Sequence, residues 1–115
     1  MPDANIAPRS YAQYCAIARA LDHVGDRWTL LVVRELVPGP QRFADLLDGL
    51  PGIATNLLTD RLRRLEADGI VEHTAADYSL TPLGHALRPV LDSLITWGAY
   101  FMATGRDDQA FRPQW

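Results

Sequence analysis

A chain of 115 residues and 12.8 kDa has room for one compact domain, because domains typically run about 100–200 residues. Apolar residues make up 48% and charged residues 22%, close to the globular average, which excludes a broadly disordered chain. The formal net charge of −3 argues on average against a nucleic-acid partner, because such domains commonly carry a basic footprint.

The charge is not spread evenly along the chain. All 11 basic residues are arginines, and no lysine is present. Between Arg27 and Arg64 six arginines oppose four acidic residues, so this stretch carries +2 and the remainder of the chain −5. An acidic average therefore conceals a locally basic segment.

Cysteine usage and hydropathy predict a cytoplasmic protein. Cys15 is the single cysteine and has no partner for an intramolecular disulfide, and no basic region precedes an apolar stretch near residue 1. The longest apolar run, around 94–103, is interrupted by Thr96 and Gly98 and is well short of the ~20 residues that cross a bilayer. We expect no membrane partner.

The first half of the chain predicts a loose arm over residues 1–10 and then three helices. Apolar residues recur at helical spacing, and the predicted helices are Tyr11 to Val24, a second helix capped by Asp26 and closed by Pro38-Gly39-Pro40, and Arg42 to Leu50. Trp28 is interpreted as core between the first helices; a small effector pocket formed with Tyr14 and the last helix is the alternative.

The most regular segment follows the turn at Pro51-Gly52. From Ala54 to Asp68, three leucines fall on one side of a helix. Polar and basic side chains fall on the opposite side and its flanks: Asn56, Thr59, Asp60 and Arg63, with Thr55, Arg61 and Arg64 beside them. This predicts a helix with one buried and one exposed polar face.

The last third predicts a hairpin and one long helix. Ile70 to Thr74 and Tyr78 to Thr81 read as two strands around a turn at 75–77, and Thr81-Pro82 is a cap and first residue of a final helix. The apolar surface of that helix is too wide for one small core. We therefore expect one domain over residues 11–102, followed by a tail at 103–115.

The order of elements indicates a fold that is mainly α with a small β-hairpin. Two helices joined by a tight turn, with a hairpin after them, are the helix-turn-helix with a wing. Several motifs in this order make the chain resemble the HxlR family of winged helix-turn-helix transcriptional regulators over roughly residues 14 to 101: VGDRWTLL (24–31), GPQRFADL (39–46), LPGI (50–53), LRRLEADGIV (62–71) and YSLTPLG (78–84).

The resemblance implies a homodimeric bacterial or archaeal regulator that binds double-stranded, pseudo-palindromic operator DNA. We expect this regulator to be a repressor that occludes promoter DNA, and the resemblance implies that it answers a small-molecule, aldehyde, quinone or redox signal. Carried over by position, 54–68 is the recognition helix. The expected DNA-binding residues are Thr55, Asn56, Thr59 and Arg63 for base edges or phosphates, and Arg27, Arg42 and Arg64 for the backbone.

Each of these arginines has a plainer interpretation as a solvated residue or an intraprotein ion pair. Arg61 projects near the leucine stripe, where its stem can lie over the core. Asp60 repels phosphate unless Arg64, four residues on, pairs with it. Ala54 stands where relatives often have a capping serine, so the cap must come from Thr55 or the turn.

The hairpin is shorter than is usual in the family, and its only basic residue is His73. This departure argues against wing contacts with DNA and supports an alternative function. In that alternative, the same dimeric winged-helix fold serves as a protein-interaction adaptor with little DNA affinity.

Assembly is predicted to involve the terminal helices, as the resemblance also implies. The expected dimer interface consists of Leu91, Leu94, Trp97, Tyr100 and Phe101, because these residues exceed what one headpiece can cover. A two-fold dimer would set its recognition helices roughly 34–36 Å apart. A fully intramolecular core is the alternative.

Cys15 resembles in position an N-terminal cysteine with which some HxlR relatives sense oxidants or electrophiles. A place near a helix N-terminus, with Arg19 one turn away, favours a lowered pKa of the thiol; the alternative is an inert core residue. The three histidines show no metal-ligand spacing, and no nucleophile elbow or phosphate loop is present. We therefore expect no metal, no cofactor and no enzymatic activity.

Overall fold

The computed structural model describes residues 15–103. The predicted arm at 1–10, the predicted helical residues Tyr11 to Tyr14 and positions 104–115 of the predicted tail lie outside the described residues. Ala103, the first residue of the predicted tail, still belongs to the last helix.

The described chain is mainly α with one small antiparallel sheet, as the sequence predicts. The elements in chain order are α1 (Ala16–Val24), α2 (Thr29–Leu36), β1 (Gln41–Arg42), α3 (Phe43–Gly49), α4 (Thr55–Ala67), β2 (Val71–Thr74), β3 (Asp77–Leu80), α5 (Pro82–His85) and α6 (Arg88–Ala103). The strands form one sheet in the order β1-β3-β2.

The core lies among α2, α3 and α4, and the part of the chain from α2 to β3 (residues 29–80) is called the headpiece. The largest fully buried side chains belong to α2, α3, α4 and the turn after α3: Val32, Val33, Leu36, Leu46, Leu50, Leu58, Leu62 and Leu65. The predicted leucine stripe of α4 is thus confirmed, because its three leucines are fully buried. Trp28 is half-buried and packs at the edge of this core.

The sheet has one strand more than expected. Arg42, predicted as the first residue of a helix, lies in β1, which pairs Gln41 with Tyr78 and Arg42 with Asp77. The backbone N–H of Arg42 donates to Oδ2 of Asp45 at 3.3 Å, so the same residue also begins α3. A two-residue strand has no periodicity from which it can be predicted, and it forms because the edge of β3 offers unpaired backbone groups.

The hairpin turn is tighter than expected. Asp77 was placed in the turn, but it pairs with Thr74 and belongs to β3, which leaves a two-residue turn at Ala75-Ala76. Ala75 has φ 53°, and two-residue hairpin turns require positive φ because their twist must match that of the strands.

The long final helix was predicted as continuous, and this is wrong. The chain forms α5 and α6 with a break at residues 86–87. Pro89 is the physical reason, because proline lacks the N–H that would bond to the carbonyl of His85, and its ring clashes with that carbonyl. The predicted cap is confirmed, since Oγ1 of Thr81 accepts from the N–H of Gly84 at 3.1 Å.

The start of α5 is joined closely to the end of α4. Oγ1 of Thr81 donates to the carbonyl of Gly69 at 2.6 Å, and its backbone N–H donates to that of Ile70 at 3.0 Å. A Cβ added to Gly84 would lie 2.3 Å from the Ile70 carbonyl oxygen, so only glycine permits this approach.

The terminal helices bury little of their apolar surface. Val24 is the one buried residue of α1, and Leu91 is the one buried residue of α6. The large apolar side chains that remain exposed on these two helices are Ile17, Leu21, Val90, Leu94, Ile95, Trp97, Tyr100 and Met102. Leu91, which is expected at the interface, is 8% exposed and packs in the core of the described residues.

Candidate nucleic-acid interface

A tight turn between α3 and α4 directs the polar face of α4 outward. The turn contains Pro51 and Gly52, and Gly52 has φ 94°, a conformation that side chains other than glycine rarely adopt. Ile53 follows and is buried, which anchors the turn to the core just before α4 begins. The geometry is that of a helix-turn-helix, whose second helix can enter a DNA major groove.

The first turn of α4 presents backbone N–H groups and short polar side chains. Ala54 occupies the N-cap position and has no side-chain acceptor for them. Thr55 and Asn56 are exposed there, and the positive end of the helix dipole favours an anion nearby. The hydroxyl of Thr59 donates to the carbonyl of Thr55 at 3.1 Å, so this side chain is oriented along the helix.

The outward face of α4 carries both signs of charge. Asp60, Arg63 and Arg64 are all exposed. The expected pairing within one helical turn exists, since Nη1 of Arg64 lies 4.0 Å from Oδ2 of Asp60. Arg61 is a closer partner of that carboxylate, at 2.5 Å from its Nη1.

Arg61 forms ion pairs within the protein, as its plainer interpretation predicts. Its side chain is only 18% exposed, and its Nε lies 3.2 Å from Oδ1 of Asp26 at the start of α2. Sequence reasoning treated Asp26 only as a helix cap and missed this contact between the two residues. No periodic pattern links them, so nothing in the sequence could have indicated it.

Arg42 and Arg27 lie on separate connecting elements. Arg42 is 72% exposed at the start of α3, and its Nε is 4.0 Å from Oδ1 of Asp77 across the sheet. Arg27, on the loop before α2, places its guanidinium 5.5 Å from the centre of the Trp28 ring. Arg42 therefore lies beside the root of the hairpin, whereas Arg27 lies beside the cap of α2.

The wing packs its aromatic side chains against the flank of α4. His73 and Tyr78 are cross-strand partners whose rings stack at 3.9 Å, and Nδ1 of His73 lies 3.8 Å from Oε2 of Glu66 on α4. Burial raises the pKa of the Tyr78 hydroxyl, the charge of Glu66 raises it further, and the charge of Arg63 offsets part of the rise. This stack was not predicted, because the expected turn at 75–77 would pair Tyr78 with Thr74 instead of His73.

Cys15 lies outside the core, so the interpretation as an inert core residue is wrong for the protomer. The cysteine is exposed and occupies the N-cap position of α1. Backbone hydrogen bonds at Ala18 and Ile17 lower the pKa of its thiol below the usual 9.0. The physical cause is thus the helix N-terminus and not the expected charge of Arg19.

Trp28 lines a cavity of about 580 Å³ between the start of α2 and the helix-turn-helix turn. Leu30, Leu31 and Pro51 lie on its wall. This differs from the expected pocket with the last helix, because none of the α6 residues lines it. Tyr14, the other expected member, lies outside the described residues.

Residues 15–103 contain neither a metal-binding cluster nor a membrane-spanning helix. These residues hold no group of three or more histidine, cysteine or acidic side chains placed to bind a metal ion. None of their helices is long and apolar enough to span a bilayer.

The tight turn, the outward polar helix and the following hairpin define a winged helix-turn-helix protein of the class that regulates transcription. The chain belongs to the HxlR-like helix-turn-helix family, whose model matches residues 23–106. The resemblance noted in the sequence is thereby confirmed.

Curated relatives and solved structures agree with this family. The chain is similar to the HTH-type transcriptional regulator sll1512 of Synechocystis, with 39% identity covering 74% of this chain and 68% of the relative. It is similar to quinone-bound YodB from B. subtilis, with 34% identity, a TM-score of 0.69 and coverage of 74% of this chain and 97% of that one. The redox regulator HypR in its reduced form gives 30% identity, a TM-score of 0.72 and coverage of 81% and 99%.

Proposed function

We propose that this protein is a homodimeric, sequence-specific regulator that represses transcription by occluding promoter DNA. The observation that carries the proposal is the exposed polar face of α4, which follows directly on the helix-turn-helix turn. That face begins with N–H groups that no N-cap side chain binds. A helix of this kind reads base edges in the major groove while arginines around it bind phosphates.

Each residue of the interface has a role in this proposal. Thr55, Asn56 and Thr59 are short polar groups that fit adenine edges and nearby phosphates, and Arg63 fits a guanine or a phosphate. Arg64 binds backbone phosphate while remaining near Asp60. Arg42 and Arg27, on the elements before the turn, bind phosphates on either side and set the position of the domain without reading sequence.

Dimerisation follows from the exposed apolar surface of α1 and α6. Leu94, Trp97 and Tyr100 are exposed in the protomer, and Phe101 packs edge-to-face on both aromatic neighbours. Large contiguous apolar surface of this kind marks an interaction site. A two-fold axis through these helices places the two recognition helices about one turn of DNA apart, roughly 34–36 Å.

The test is a salt titration of fluorescence anisotropy with duplexes tiled across the upstream region of the gene and a scrambled duplex as control. We expect one segment to bind with affinity in the nanomolar range and log K to fall with log salt by several units. Arg63→Gln and Arg42→Gln should each weaken binding and reduce the salt slope by about 1. Arg88→Gln, an exposed arginine at the start of α6, is the matched control and should bind as the parent does.

The opposite result would favour the adaptor function. If no segment outcompetes the scrambled duplex even at low salt, and if the Arg63 and Arg42 variants bind no more weakly than the parent, the domain does not recognise DNA. The acidic average charge and the short wing would then be the features that matter, and a protein partner should be sought.

We also propose that Cys15 senses oxidants or electrophiles. Its exposure and the lowered pKa of its thiol support this, because the thiolate is the reactive form. The similarity to YodB, solved quinone-bound and diamide-treated, and to the redox regulator HypR supports the same signal class. Diamide would take two electrons and two protons from two thiols and leave a disulfide between them. The two thiols would be either Cys15 of both protomers or one Cys15 and a small-molecule thiol.

The measurement is the second-order rate of alkylation of Cys15 by iodoacetamide at pH 7, compared with that of an unstructured cysteine peptide. We expect the protein to react faster because its thiolate fraction is larger. Diamide should change the DNA affinity of the parent but not of Cys15→Ser. An alkylation rate no faster than that of the peptide, together with an unchanged affinity after diamide, would remove Cys15 from the mechanism.

A further inference from the structure

One carboxylate organises the start of α2. Asp26 accepts from the backbone N–H groups of Trp28 at 2.9 Å and Thr29 at 3.0 Å, and from the hydroxyl of Thr29. Thr29 is only 2% exposed, so this end of the network lies inside the core. The Asp26 carboxylate is therefore held in a fixed place relative to α2.

Arg61 joins that fixed carboxylate to the recognition helix. Its Nε lies 3.2 Å from Oδ1 of Asp26, and its Nη1 bonds to Oδ2 of Asp60, the neighbouring residue on α4. The Nε is fully buried and has Asp26 as its ion-pair partner without a well-aligned hydrogen bond. Both ends of the guanidinium are thus engaged within the protein.

The opposite flank of α4 is attached to a different element. There the carboxylate of Glu66 lies 3.8 Å from His73 of the wing. The leucine stripe fixes which face of α4 is buried, but a stripe of branched aliphatic side chains specifies the rotation of a helix less sharply than directional polar contacts do. The ion pair of Arg61 with Asp26 is not a well-aligned hydrogen bond, but it restrains this rotation because it holds the guanidinium beside a fixed carboxylate on the flank next to α2.

We infer that Arg61 is a positioning residue for DNA recognition, one that acts through Asp26 and Asp60 without touching DNA. It fixes the rotation of α4 about its axis and so aims Asn56 and Arg63. It also pairs with Asp60 more closely than Arg64 does, and so offsets a negative charge that would otherwise repel the phosphates more strongly. This inference rests on the proposed function, because it assumes that α4 reads DNA.

The competing role is a phosphate contact, and salt dependence distinguishes the two. An arginine that binds a phosphate contributes about one unit to the slope of log K against log salt, on specific and non-specific DNA alike. A positioning residue leaves the slope unchanged and lowers only the preference for the correct sequence.

The test compares four variants in the full chain by anisotropy with operator and scrambled duplexes. Arg61→Met keeps the length of the side chain and removes the charge. Asp60→Asn with Arg61→Met removes one charge of each sign and so preserves the local net charge. Arg61→Lys keeps the charge but lacks the fork geometry that reaches two carboxylates, and Asp60→Asn alone measures the effect of the carboxylate.

We expect the charge-preserving double variant to bind the operator about tenfold more weakly. Its affinity for scrambled DNA and its salt slope should not change, because misaligned base contacts reduce only the preference for the correct sequence. Arg61→Lys should recover part of the loss. Asp60→Asn alone should raise the affinity for both duplexes equally, because it removes a repulsive charge.

Two results would overturn the inference. In one, Arg61→Met binds both duplexes more weakly by the same factor and its slope falls by about 1, which identifies a phosphate contact. In the other, the preference for the operator is unchanged in the double variant. Circular dichroism and thermal unfolding establish that each variant is folded, and if Arg61→Met unfolds, Asp26→Asn breaks the same contact from α2. If the parent itself fails to prefer any duplex, the proposed function fails instead.

Discussion

The headpiece and the terminal helices use the same residue types in opposite ways. Seven leucines and valines of α2, α3 and α4 are fully buried, and Leu47 and Leu57 are partly buried: the seven are Val32, Val33, Leu36, Leu46, Leu58, Leu62 and Leu65. On α1 and α6 comparable side chains remain exposed, with Val24 and Leu91 as the buried exceptions. The headpiece closes its own core, whereas the terminal helices carry an apolar surface that the rest of residues 15–103 does not cover. Burial thus separates residues that fold this part of the chain from residues that remain available for contact with another surface.

A matched pair of leucines gives the sharpest test of this contrast and the largest expected effect. Leu62 is 1% exposed and Leu94 is 44% exposed. Leu62→Ala should reduce the free energy of unfolding by about 2–5 kcal/mol, because it removes buried methyl groups and leaves a cavity. Urea unfolding of both variants at several protein concentrations measures the difference.

For Leu94→Ala we expect a loss within about 0.5 kcal/mol at low protein concentration and a larger loss as concentration rises, because binding of a second copy stabilises the folded state. The cost of Leu62→Ala should not depend on concentration. Equal costs for the two leucines at every concentration would mean that the terminal helices are no different from the headpiece.

Trp97 gives the next largest effect, this time on assembly. Its ring is 66% exposed and packs edge-to-face with Phe101 at 5.0 Å. Trp97→Ala should weaken dimerisation by about 2 kcal/mol, as truncation of a central aromatic residue commonly does. Sedimentation equilibrium measures the dissociation constant, and Thr96→Ala, an exposed neighbour on α6, serves as the control. An unchanged dissociation constant for Trp97→Ala would exclude this residue from the interface.

The smallest effect concerns acid stability and lies within the headpiece. Burial raises the pKa of Asp26, but hydrogen bonds from the Thr29 hydroxyl and from the backbone of Trp28 and Thr29, together with the nearby Arg61 guanidinium, outweigh it and lower the pKa below the usual 3.8. A carboxyl whose pKa is lower in the folded state than in the unfolded state stabilises the fold at any pH above its unfolded-state pKa. This stabilisation disappears as the pH falls through the folded-state pKa. Below about pH 4 the parent should therefore lose stability more steeply than Asp26→Asn. Urea unfolding between pH 7 and pH 2.5 tests this, and parallel curves would contradict it.

The features that the sequence predicts well are those with a repeating pattern or a local cap. The leucine stripe of α4 and the cap at Thr81 are in the structure where the sequence places them. The break between α5 and α6 was missed although its signal was present, because the wide apolar pattern of the final segment outweighed Pro89. Patterns of apolar residues show which face is buried, but they do not show whether the helix is continuous.

The parts that could not be predicted depend on contacts between distant residues. The strand at Gln41 is too short to carry a pattern, and it exists only because β3 is beside it. The ion pair of Arg61 with Asp26 joins two helices whose relative placement is decided by the core. For the candidate site, the exposed face of α4 was predictable from the helical spacing of its leucines. The ion pairs that hold the two flanks of α4, Arg61 with Asp26 and Glu66 with His73, were not predictable.

The junction at Thr81 has a mechanical consequence. The hydroxyl and N–H of Thr81 donate to the carbonyls of Gly69 and Ile70, and Gly84 packs directly against the carbonyl of Ile70. The start of α5 is therefore held tightly against the end of α4. Two residues later the chain bends at 86–87 and enters α6. This junction leaves α5 and the end of α4 little freedom to move separately, so a displacement of either one would be transmitted directly to the other.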